Sequence, residues 1–161
     1  MVAALIVTIY GFYAIWTMRY IGVRKSGVLE HAALVTIKQL LESPGNWSAN
    51  PPVIGLAYST GQGNSTLVYP YLIDPSKLNN LSNLSYSSLR EGLPLGGLDI
   101  RIAIYFYNET SNSFPNSPNL FIGSGLIGEN SATIRAYARL LNGGGQNTTL
   151  CEFQVTVWGG G

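Results

Sequence analysis

Charge is scarce in this chain of 161 residues: Asp, Glu, Lys and Arg together supply 11% of it, against roughly 25% in ordinary soluble proteins. The polar surface must therefore come from Ser, Thr, Asn, Gln and Tyr. Such a surface suits glycosylation, or packing against copies of itself, better than a cytosolic setting. Cysteine is reduced to Cys151, which excludes an intramolecular disulfide framework. Histidine is reduced to His31, so hydrolytic arrangements of the Ser/His or Cys/His kind lack partners. The eight carboxylates are scattered singly, without the clusters that hard cations require. The formal net charge is +1, divided as +2 over the first 42 residues and −1 over the remainder. Neither part has a basic patch interleaved with aromatics, and nucleic-acid binding is not expected. The composition points to no enzyme, no cofactor and no metal.

The most informative absence is local. Met1 to Met18 contain no charged side chain. At about 1.5 Å rise per residue, a helix of about eighteen to twenty-three apolar residues spans roughly 27–35 Å, enough to cross a bilayer core. A cleaved secretory signal does not fit, because no Lys or Arg precedes Arg19 and no Ala-x-Ala site follows. Arg19, Arg24 and Lys25 all follow the apolar run, which by the positive-inside rule leaves the rest of the chain in the cytoplasm. Asparagine acceptors argue for the opposite side: Asn-x-Ser/Thr tripeptides occur at Asn46, Asn64, Asn80, Asn83, Asn108 and Asn147, with none in the first 42 residues. A short basic leader once preceding Met1 and since removed reconciles the two signals.

Leu29, Ala33, Ile37 and Leu40 recur at helical spacing, widened by Val28, Ala32 and Val35, and Ser43-Pro44-Gly45 supplies a stop. The expectation is one long helix over residues 1–42, then a β-rich domain over 43–161. His31 reads as a surface or packing residue. Three later segments alternate with period two, at 98–107, 132–140 and 151–158, and predict half-buried antiparallel strands. The last two flank a Gly-rich loop, Asn142 to Asn147, suited to a hairpin. Weaker strand candidates lie at 52–58, 66–72 and 119–123. Asp74-Pro75-Ser76 can cap a short turn, and 85–93 can form a small helix. The predicted fold class is α+β: a long N-terminal apolar and amphipathic helix packed on an antiparallel β-sheet globular domain. Asp99 with Arg101, and Arg135 with Arg139, read as cross-strand surface charges.

Gly123 to Gly128 carry the spacing of a dinucleotide fingerprint, but the alternating pattern that follows is a strand, and position 148 is Thr where an acidic residue is needed. Loop glycine accounts for it. Cys151 alternates with Phe153 and Val155 and reads as a small core residue. Seven tyrosines, Tyr58, Tyr69, Tyr71, Tyr86, Tyr105, Tyr107 and Tyr137, either fill a core or make subunit contacts.

The uncharged opening Met1 to Trp16, its extension to Glu42, the Leu40-to-Trp47 junction and the closing strand Phe153 to Trp158 together resemble a type IV pilin of the archaeal kind. The resemblance spans the chain, but its motifs are hydrophobicity patterns. It implies a leader removed by a prepilin peptidase, storage as a membrane-anchored precursor, and extraction by pilus assembly machinery into an extracellular helical filament on the cell surface, often glycosylated and adhesive. Ala3, Ala4, Leu5, Val7, Tyr10, Gly11, Ala14 and Ile15 would then pack the filament core, with close approach at the small residues. Bacterial pilins usually carry Glu where this chain has Leu5; archaeal members commonly lack it. The alternatives are a minor pilin or single-pass anchored ectodomain that binds a partner or glycan without polymerising, and an archaellin, the motility filament subunit.

Overall fold

In the structure, a computed structural model describing residues 26–62, 65–125, 127–142 and 147–159, the period-two segments become the centre of a six-stranded sheet. Helix α1 covers the described residues 26–42. Strands β1 (Ala57–Gln62) and β2 (Ser65–Ile73) follow, then helices α2 (Pro75–Ser82) and α3 (Tyr86–Gly92). Strands β3 (Asp99–Phe106), β4 (Leu120–Gly123), β5 (Ser131–Leu141) and β6 (Thr148–Trp158) complete the chain. The spatial order is β1-β2-β5-β6-β3-β4.

This corrects the α+β expectation of a long N-terminal helix packed on an antiparallel sheet. The described residues are mostly β, 41% strand against 26% helix, their sheet curls, and no long N-terminal helix is present among them. Of the weak strand candidates, 66–72 and 119–123 correspond to β2 and β4, whereas 52–58 meets β1 only at Ala57 and Tyr58. Nor is the sheet a simple meander, because β2 runs parallel to β5 through Leu72–Arg139 and Ile73–Leu140. Residues 1–25, to which the membrane-length part of that helix was assigned, lie outside the described residues.

Local chemistry explains each short element. Asp74 caps α2, its carboxylate accepting from the Ser76 N–H at 2.9 Å, with Pro75 in the first turn. Ser85 caps α3 by accepting from the Ser88 N–H at 3.2 Å. Helix α1 stops where Ser43 and Gly45 enter a tight crossing with Gly55. Gly45 has φ +67° and a Cβ there would lie 2.5 Å from Gly55 N, while one on Gly55 would lie 2.4 Å from Ser43 O. Only glycine allows the two backbones so close.

The core lies on one side of the sheet. Leu29, Ala33, Ile37, Leu40 and Leu41 of α1 join Leu78, Leu81 and Leu89 of the short helices and Ile100, Ile102, Ile104, Phe153, Val155 and Val157 of the central strands. Each large aliphatic side chain buried there contributes roughly 1.5–3 kcal/mol. The Gln39 amide ties α1 to its neighbours, donating to Ile54 O at 3.0 Å and Gly92 O at 3.1 Å.

Strand β6 departs from the half-buried expectation. Glu152, Thr156 and Trp158, on the face away from the core, are buried as well. Register supplies the reason. Glu152 sits between Tyr105 and Tyr137, and Gln154 between Ala103 and Arg135, so side chains from both flanks close over the middle strand. The Thr133 and Thr156 hydroxyls meet at 2.8 Å, and Gly128 lies against the Trp158 ring. Arg135 pairs with Glu152 across β5 and β6 at 3.8 Å. Asp99, expected as a cross-strand surface charge, pairs with Arg90 of α3 at 3.5 Å and accepts from the Tyr86 hydroxyl at 2.8 Å.

Candidate functional site

The residues assigned to filament packing, Ala3, Ala4, Leu5, Val7, Tyr10, Gly11, Ala14 and Ile15, lie outside the described residues, as does Asn64. The other five acceptors are all solvent-exposed, but their settings differ. Asn80 is inside α2. Asn83 ends that helix, and its amide nitrogen donates to Asn79 O at 2.9 Å. Asn46 pairs with Val53 through a two-way backbone bridge, and its side-chain oxygen accepts from Ser48 N at 3.3 Å. Asn147 accepts from Asn142 N at 2.9 Å, closing the β5–β6 hairpin.

Asn108 follows the end of β3, in a turn closed by reciprocal backbone bonds with Ser113 at 3.0 and 3.3 Å. Its side-chain oxygen accepts from Thr110 N at 2.9 Å and more weakly from Ser111 N at 3.4 Å. The turn is braced by rings. Tyr107 packs edge-on to Phe114, centroids 5.2 Å apart, and Phe114 lies 5.9 Å from Tyr137; the Tyr107 hydroxyl donates to the Asn112 side chain. The bracing role of Phe114 escapes sequence reasoning, since a lone Phe amid Asn, Ser and Pro carries no periodic signal.

A second surface is the hairpin of β1 and β2. Residues 57–73 contain no charged side chain. Leu67 is 62% exposed, and Val68, Tyr69 and Tyr71 are also exposed, so both faces of β2 meet solvent. Only Leu72 and Ile73 pair with β5, and the rest of β2 projects beyond it. The departure occurs at a bulge: Ala57 pairs with Ile73 but Tyr58 with Tyr69. Within it Tyr71 holds φ +61°, an unusual conformation for an aromatic side chain, with its hydroxyl donating to Glu42 at 2.7 Å. That hydrogen bond holds the Tyr71 phenol above its ordinary pKa. At the fork where β2 leaves β5, Pro70, Tyr71, Tyr137 and Arg139 line a shallow cleft of about 340 Å³. The neutrality of 57–73 was the available sequence signal for this hairpin.

The seven tyrosines thus divide. Tyr69, Tyr71 and Tyr137 are exposed; Tyr58, Tyr86, Tyr105 and Tyr107 are half-buried.

The remaining chemistry-bearing residues stay apart. Cys151 is buried in the core, its thiol donating to Thr149 O at 3.4 Å and pushed up to about 11 by burial. His31 is exposed on α1, beside Pro94 and Leu98. Among the described residues no three of His, Cys, Asp and Glu gather as a metal site. Gly123 ends an antiparallel edge strand with φ +113°, where a Cβ would lie 2.3 Å from Ile100 O, so close strand approach explains it. No helix among the described residues is long and apolar enough to cross a membrane. Comparison with family models, curated proteins and solved structures finds no match to this chain.

Proposed function

We propose that the chain is a structural subunit that polymerises through its uncharged N-terminal segment into an extracellular, type IV pilus-like filament serving surface adhesion. The membrane holds it before assembly. One observation carries the reading: eighteen consecutive residues without a charge lead, within seven further positions, into a helix whose other face is anchored in a folded domain. Such a segment is not left in water, since each Leu-sized side chain exposed there costs roughly 1.5–3 kcal/mol. Lipid or sister copies must cover it. The sparse charge, the exposed neutral hairpin and the exposed Val28 and Leu34 of α1 support a domain that meets further copies. A head-to-tail contact that does not close yields a helical filament.

Electron microscopy of filaments sheared from the surface, with mass spectrometry of the subunit, tests the proposal. Long filaments dominated by this chain are expected. Ala4→Glu or Gly11→Glu abolishes them while the β-domain still unfolds cooperatively. Normal filaments from either variant, or a permanently monomeric wild-type chain, overturn the reading.

A further inference from the structure

We propose that Asn108 is the principal N-glycan attachment site and that the first sugar rests on the ring of Phe106; this builds on the reading of the chain as extracellular. Three observations converge on the turn. The Asn108 side-chain oxygen is engaged by the Thr110 N–H at 2.9 Å, which draws electron density from the amide and makes the Nδ2 proton easier to lose. Asn108, Glu109 and Thr110 are all exposed, so a transferase reaches the whole tripeptide. Phe106 lies two residues before Asn108 on a chain that is still extended: Tyr107 N donates to Leu150 O at 2.9 Å and Asn108 bridges Ser113. Alternation therefore places Phe106 and Asn108 on one face, while Tyr107 and Phe114 pack on the other and hold the turn in shape.

Phe106 packs against the core and is half-buried, so the part of its ring that reaches solvent is held in place and offers a surface to the apolar C–H face of a sugar. The other described acceptors are less well presented; at Asn147 the Thr149 hydroxyl of the tripeptide is half-buried and donates to Asn142 Oδ1 at 3.2 Å. Asn83 has its amide nitrogen committed to Asn79 O, and Asn80 lies within α2, so both require helix opening. The Asn46 turn is longer at 3.3 Å, and no aromatic residue stands two positions before it.

In the transfer, Asn108 Nδ2 attacks the anomeric carbon of a lipid-linked oligosaccharide phosphate. The N–C bond forms as the anomeric C–O bond breaks. The phosphate leaves with the bonding pair, and the Nδ2 proton passes to a base of the transferase.

Glycopeptide mass spectrometry of the full chain, purified from the cells that make it, reads occupancy directly. Expected is a glycan on Asn108 in most copies and on Asn80 and Asn83 in few. Asn108 bare while another acceptor is modified overturns this inference and leaves the filament reading standing. Every acceptor bare overturns it too, and removes one support of the extracellular reading. Filaments of fully unmodified subunits would separate the two failures. Stacking is read from thermal midpoints: Thr110→Ala, which removes the acceptor tripeptide but keeps the bond from the residue 110 N–H to Asn108 Oδ1, lowers the wild-type midpoint by about 2–4 °C, the shift expected for roughly 1 kcal/mol in a chain of this size. In a Phe106→Leu background the same change produces little shift. An equal shift in both backgrounds overturns the role of Phe106.

Discussion

Strands β6 and β2 are similar in length, 11 and 9 residues, and opposite in circumstance. Strand β6 has a long neighbour on each side and is buried on both faces, even where its residues are Glu, Thr and Trp. Strand β2 meets β5 only through its last two residues and along the rest is exposed on both faces, even where its residues are Leu, Val and Tyr. Burial in this molecule follows position in the sheet more than side-chain polarity. The consequence is functional: the domain is held together by β6, and β2 is free for other contacts.

Substitutions test that contrast, and the largest effect belongs to the middle of β6. Phe153 is fully buried, and Phe153→Ala is expected to cost about 3–5 kcal/mol, read as a lowered urea midpoint. A loss below about 1 kcal/mol would mean that the site collapses freely and that β6 is not the keystone. Gly123→Ala comes next. It forces a Cβ to within 2.3 Å of Ile100 O at φ +113° and should destabilise by about 1–3 kcal/mol, loosening β4 first in hydrogen exchange.

Alkaline titration gives a smaller and more gradual effect. The folded Cys151 thiol ionises near 11 against an ordinary value of 9.0. Between those values the unfolded chain has lost a proton that the folded chain retains, so stability falls as pH rises through the window. Cys151→Ala flattens that part of the profile. Tyr71 and Tyr86, whose phenols are also raised, continue the fall in the same direction. An unchanged slope in the variant would place the thiol in contact with water. The smallest effect on folding is expected in the hairpin, where Leu67→Ser and Tyr69→Ser should change stability by no more than about 0.5 kcal/mol. Filament yield should nevertheless drop. A large loss of stability would tie the hairpin to the core after all.

The contrast was only partly legible beforehand. Alternation at 98–107, 132–140 and 151–158 identified β3, β5 and β6, because one face of each is consistently apolar. Asp74-Pro75-Ser76 marked the start of α2, though only as a short turn, and 85–93 was expected as the small helix that α3 is. What misled was weight: the apolar and amphipathic opening suggested a helix that would dominate, while β1, β2 and β4 looked marginal. Strand β1 is held by β2, β4 by β3, and β2 also by the distant β5, and a single strand's pattern does not register a partner. The partners of the charged residues were not legible for a similar reason. Arg90 comes to Asp99 from a different element, and Glu152 meets Arg135 across β5 and β6. The asparagine acceptors were all visible, but their ranking was not, because it depends on which amide is already engaged.

Residue order by itself determined the uncharged opening, the three strong strands, the helix caps and the glycine stops, since each depends on neighbours within a few positions. Tertiary structure alone decided that β6 is enclosed, that β2 swings clear at the Tyr71 bulge, and that Asn108 is held in a braced turn. Those outcomes depend on contacts between residues far apart in the chain, where strand register and shared backbone hydrogen bonds override local preference.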